Sequence, residues 1–108
     1  MSGRLGTASL SQGAVANVYT VPAGKLASVN INVCNRDSSP GKIRLAISDT
    51  AGVQGNDEYL EYDYSIPASS AIERTGLVLD AGKVVTAYCP YASPQLSVVV
   101  TGIEEDMW

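Results

Sequence analysis

Between Tyr19 and Ser48 the chain alternates apolar and polar positions in two separate runs. Ala27, Val29, Ile31 and Val33 are apolar, and Ser28, Asn30 and Asn32 between them are polar. Successive side chains point to opposite faces of a strand, so this period of two predicts one face in a core and one in water. Ile43, Leu45 and Ile47 repeat the device against Lys42, Arg44, Ala46 and Ser48. The link from Asn35 to Gly41 holds no apolar residue and carries Asn, Asp, Ser, Pro and Gly, the residues of turns. The two runs therefore predict a long, half-buried β-hairpin with a solvent-exposed loop.

The rest of the chain follows the same grammar. Met1 to Ser9 is small and polar apart from Leu5, which suits a flexible N-terminal arm or a short edge strand. Ala14 to Val21 is a strand ending at Pro22-Ala23-Gly24, a tight-turn sequence. Asp49 to Asp57 lacks strand character and is expected to be an exposed loop running over a sheet edge. Glu58 to Ile66 is a strand with Leu60, Tyr62, Tyr64 and Ile66 on one face and Tyr59, Glu61 and Asp63 on the other. Further strands are expected over Ala71–Leu79, Val84–Cys89 and Gln95–Ile103, separated by turns at 67–70, 80–83 and 90–94. In the last strand Val98-Val99-Val100 is apolar on both faces, as in a mid-sheet strand or one covered by a partner chain. Glu104 to Trp108 is an acidic tail tipped by Met107 and Trp108. About eight strands punctuated by turns predict an all-β chain, a single antiparallel β-sandwich of the jelly-roll or immunoglobulin-like kind, with a barrel second. No window carries the apolar stripe of an amphipathic helix, so little helix is expected.

Composition narrows this picture. The 108 residues suffice for one domain, and with no Phe and one Trp the core falls to Val, Ile, Leu and Ala. A net charge of −4 disfavours nucleic acid, whose phosphates call for clustered Lys and Arg. No apolar run is long enough to span a membrane as a helix, and MSGRLGTASL lacks the apolar stretch of a secretory signal, so synthesis and residence in the cytoplasm are expected. In that reducing setting Cys34 and Cys89 are expected as unpaired thiols.

Candidate chemistry is sparse. The chain has no His, which removes triads and dyads that need an imidazole, and it lacks a Walker-type loop or a Gly-x-Ser-x-Gly elbow. Glu61 and Asp63 on one strand face form a glycosidase-like pair of carboxylates, although a solvated acidic face accounts for them more simply. Asp49, Asn56, Asp57 and Glu58 offer oxygen ligands for calcium but without EF-hand spacing. Two isolated Cys without His cannot complete a zinc site. No catalytic residue, cofactor or metal is expected. Tyr59, Tyr62 and Tyr64 remain as candidate binding side chains, suited to protein contacts or sugar stacking, against a plain role lining the sandwich rim. Arg4, Leu5, Val98, Val100, Met107 and Trp108 are the candidate interface residues.

The sequence Tyr-Thr-Val-Pro-Ala-Gly-Lys at 19–25, the alternating strand after it, Asn35-Arg36 and the polar link into a second strand resemble small virion structural proteins of tailed bacteriophages. The later segment Leu77-Val78-Leu79-Asp80-Ala81-Gly82-Lys83-Val84 is similar to their second half, so the likeness runs from about Val18 to Thr101. It implies a compact β-sandwich on a phage particle, as a capsid decoration (cement) protein or a neck or tail component. It also implies a homo-oligomer, commonly a trimer, in contact with the major capsid protein or another virion protein. The competing reading is a receptor- or carbohydrate-binding module that uses the tyrosines.

Overall fold

The computed structural model describes residues 2–10, 15–90 and 96–106. Among them the backbone forms eight strands and no helix: β1 (Ser2–Ser9), β2 (Val15–Thr20), β3 (Lys25–Asn35), β4 (Gly41–Ser48), β5 (Tyr59–Ile66), β6 (Ala71–Leu79), β7 (Val84–Tyr88) and β8 (Leu96–Asp106). They make two four-stranded antiparallel sheets, in the orders β1-β8-β3-β6 and β2-β7-β4-β5. The expected β-sandwich is therefore what the chain forms. Its strands pair first with last: β1 with β8, β2 with β7, β3 with β6 and β4 with β5. Such a chain is one long antiparallel ribbon, doubled back between β4 and β5 and then rolled so that β8 also pairs with β3 and β7 with β4. That winding is the jelly roll rather than the immunoglobulin arrangement.

The topology corrects the expected hairpin. β3 and β4 have the predicted alternation but lie in different sheets, so residues 36–40 cross from one sheet to the other instead of turning between neighbours. Buried Asn35 organises this crossing. Its side-chain amide donates to the carbonyls of Ser39, Ile66 and Pro67, and its Oδ1 accepts the Asp37 N–H. Asn35 thereby ties the crossing to the β5–β6 turn, and it satisfies carbonyls that burial would otherwise penalise.

The inward rows of both sheets supply the core, with Ile31, Val33, Ile43, Leu45, Ile66 and Leu96 fully buried. Val98 and Val100 belong to it as well. The apolar run is thus explained by β8 lying between β1 and β3, and these two valines cannot meet a partner as the interface assignment supposed. Tyr19 reaches across the core from β2, its hydroxyl donating to Glu104 on β8 at 2.5 Å. Burial first, then the hydrogen bond and charge of Glu104, hold its phenol far above the usual tyrosine range.

Of the two expectations for the N-terminal segment, the edge strand holds: it is β1, at the edge of the first sheet and paired with β8 from Ser2 to Ser9, with a bulge between Arg4 and Gly6. Here the two sheets nearly touch: a Cβ on Gly6 would lie 2.1 Å from the Val18 carbonyl oxygen of β2. At the other end, Glu104, Glu105 and Asp106 are not a separate tail but the end of β8, in register with Ala27, Leu26 and Lys25, with Glu105 and Asp106 exposed as expected. Lys25 and Asp106 close that end with an ion pair at 2.5 Å. Met107 and Trp108 lie outside the described residues.

Candidate interaction surfaces

The tyrosine-bearing strand does not present its rings on one face. Ile43 pairs with Tyr64 and Leu45 with Glu61, so both Tyr62 and Asp63 stand opposite the single residue Arg44. This bulge, with Asp63 at φ 54°, breaks the period of two. Tyr62 moves to the outer face, and Glu61 shares a side with Tyr64. The bulge also gives Arg44 two partners at once. Its guanidinium pairs with Asp63 at 2.6 Å and lies 4.3 Å from the Tyr62 ring centre, with Tyr88 of β7 at 5.3 Å. Tyr59 meets Tyr62 edge to face, ring centres 4.8 Å apart. Tyr62 is 58% exposed, and one face of its ring carries the Arg44 guanidinium. Tyr64, 44% exposed, stands apart from this cluster at the rim.

The two carboxylates of the glycosidase-like pair are separated by the same bulge. Asp63 is held by Arg44, and Glu61 pairs with Arg74 of β6 at 2.6 Å, bridging the sheets along the β5/β6 edge. The Arg44 hydrogen bond is the main cause that keeps the Asp63 carboxyl below its ordinary range. A carboxyl lowered on folding contributes stability above its unfolded pKa and loses it as pH falls through the folded value. Asp63→Asn keeps a residue type that tolerates the left-handed backbone and removes only the charge. The parent's advantage over this variant in urea midpoint should be constant near neutrality and close as pH drops below about 4. A gap that is independent of pH would show that the ion pair does not contribute.

The 49–58 loop does not run over an edge but crosses the outer face of the second sheet. Gly52 N–H donates to the Asn17 side chain on β2, and Gln54 donates to the Arg44 carbonyl and the Thr86 hydroxyl. Beneath it Ser48 and Thr86 share a buried hydroxyl hydrogen bond at 2.8 Å. Glu58 accepts the N–H groups of Asp49 and Gly55, and Asp49 pairs with Lys83 at 2.9 Å. The carboxylates considered for calcium at 49 and 58 are thus engaged in holding the loop down. Among the described residues no group of three or more His, Cys, Asp or Glu is placed to hold a metal ion, and no helix is long and apolar enough to cross a membrane.

The first sheet has a different outer face. Register places Ser28, Asn30, Asn32 and Cys34 of β3 beside Ile103, Thr101, Val99 and Ser97 of β8. These outward rows carry no charge. Charged residues border them: Arg4 on β1 and Glu73 on β6, Glu105 of β8 in the next row beyond Ile103, and Arg36, which donates to Ser9 of β1, all four exposed. Val78 of β6, 64% exposed, and Ile103, 49% exposed, stand on either side of Ser28. Sequence reasoning put Arg4 at an interface but missed this surface, although the uncharged character of the polar positions in β3 was there to be read. Leu5 packs half-buried against the core. Cys34 lies on this outer face and Cys89 is buried in the core, so no disulfide joins them.

The fold defines an eight-stranded jelly-roll domain, and no protein-family model, curated protein or solved structure matches the chain.

Proposed function

We propose that this protein is a non-enzymatic structural component of a tailed-phage virion, acting as a capsid decoration protein that bridges and stabilises shell subunits. The observation that carries the reading is the outer face of the first sheet, whose two middle strands present eight uncharged outward residues in four successive rows, with Glu105 only in the row beyond them. Protein surfaces kept in water are normally interspersed with Lys, Glu, Arg and Asp, and depletion of charge marks the centre of a contact surface. The jelly roll recurs in viral capsid proteins, and the sequence resemblance points to the same setting. The support from fold is by analogy, and the contact face is independent of it. A rigid sandwich suits the role, because buried contact added across shell joints raises the work needed to open them.

Mass spectrometry of purified particles from the producing phage should find this chain at a fixed copy number per major capsid subunit. Particles made without it should keep their shape but lose their contents at a lower temperature. Absence of the chain from particles overturns the proposal, and a specific glycan-array signal alongside that absence establishes the carbohydrate-binding reading in its place.

A further inference from the structure

We infer that the outer face of the first sheet is a self-association surface on which a second copy of this chain packs face to face, about a twofold axis running along the strands between β8 and β3. The inference deepens the structural reading, and rests on it for taking this face as a contact surface. The choice of a second copy as occupant comes from the pattern of charge and size across the sheet.

The sheet order is β1-β8-β3-β6, so the proposed axis lays β8 over the partner's β3 and β1 over the partner's β6. Rows along the strands are kept by this rotation. Ile103 and Ser28 occupy one row, and the axis sets each exposed isoleucine over the small serine of the other copy, twice by symmetry. The rows of Thr101 with Asn30 and Val99 with Asn32 meet in the same way, uncharged against uncharged, and in the row beyond Ile103 each Glu105 comes over the Leu26 of the other copy. At the margins, Arg4 lies in the row of Thr101 and Asn30, and Glu73 in the next, that of Asn32. Two residues of strand separate them, about 7 Å, which a long arginine side chain spans. Both margins therefore gain an Arg4–Glu73 approach between copies. A twofold axis across the strands would instead lay β1 over β1 and β6 over β6, setting like charges together.

The area is adequate for a weak dimer. Strands about 4.8 Å apart and an eight-residue length at about 3.3 Å per residue give ~500 Å² per copy and ~1,000 Å² in total, the floor for a specific interface. Sheets that pack face to face keep their strands within about 30° of alignment, as this axis requires.

The test uses the full chain in sedimentation equilibrium from about 10 to about 500 µM, the range in which an interface of this size associates. The parent should approach twice the 11.3 kDa chain mass. Ser28→Lys, on an exposed position under the partner's Ile103, should leave a monomer with an unchanged melting temperature. Arg4→Glu and Glu73→Arg should each weaken association about tenfold, and the double exchange should restore it. A parent that stays monomeric, a trimer, or a dimer indifferent to Ser28→Lys overturns the inference, as does a double exchange no better than either single change. The two proposals fail separately. A monomeric parent found at fixed copy number on particles removes the dimer and leaves the virion role standing, and a dimer absent from particles does the reverse.

Discussion

Deleting residues 1–9 should lower the melting temperature by about 15–30 °C or abolish folding. This segment is a strand whose pairing with β8 extends over its whole length. The deletion removes that ladder together with Leu5 and Ala8, which pack against the core, and it uncovers one edge of β8. Net contributions of about 0.5–1.5 kcal/mol per ladder hydrogen bond and about 1 kcal/mol for a half-buried leucine sum to ~4 kcal/mol. At about 4–8 °C per kcal/mol for a domain of this size, the temperature range follows. Far-UV circular dichroism during a thermal ramp is the measurement. A truncated protein that melts with the parent would show that the segment is an arm after all and that β8 needs no neighbour on that side.

Gly6→Ala should be nearly as damaging, which is unexpected for so small a change. On an ordinary extended stretch, replacing Gly by Ala stabilises by about 0.4–1 kcal/mol because the unfolded chain loses freedom. Here the added Cβ would meet the Val18 carbonyl oxygen at 2.1 Å, and the obstacle is main chain rather than a mobile side-chain tip. The corner between β1 and β2 must open, and the loosened packing around Leu5 and Val18 should cost about 3–4 kcal/mol. Urea unfolding followed by tyrosine and tryptophan fluorescence gives the value. If Gly6→Ala is as stable as the parent, the two sheets are not in close backbone contact at this corner.

Much of the strand content was legible in the sequence, because alternation and turn residues act locally. Ala27 to Val33 and Lys42 to Ser48 fall within β3 and β4 as expected. The partner of each strand was not legible. Five linking residues extend to at most about 17 Å, enough for a hairpin and equally enough to cross the about 10 Å between packed sheets, so the 36–40 link is compatible with both. The faces of β5 were misassigned for another reason. A period of two assumes an unbroken ladder, and the extra residue at Asp63 carries no Gly to announce a bulge, since Asp tolerates the left-handed backbone unaided. The Arg44 cluster was hidden with it, because its members come from β4, β5 and β7. The outward side of β3 was legible too: Ser28 and Asn30 are exposed as the alternation predicts, and that they are polar without being charged can be read from the same positions.

The first-with-last pairing also sets the order in which the protein comes into being. β1 and β3 are never neighbours, since β8 lies between them and bonds to both. During synthesis the earliest strand therefore has no partner in its own sheet until Leu96–Asp106 has left the ribosome. The two outer strands of the ribbon must find each other across nearly all of the sequence between them, so the contact order is high and folding is slow for so short a ribbon, with the unpaired edge of β3 as the interval's hazard for aggregation.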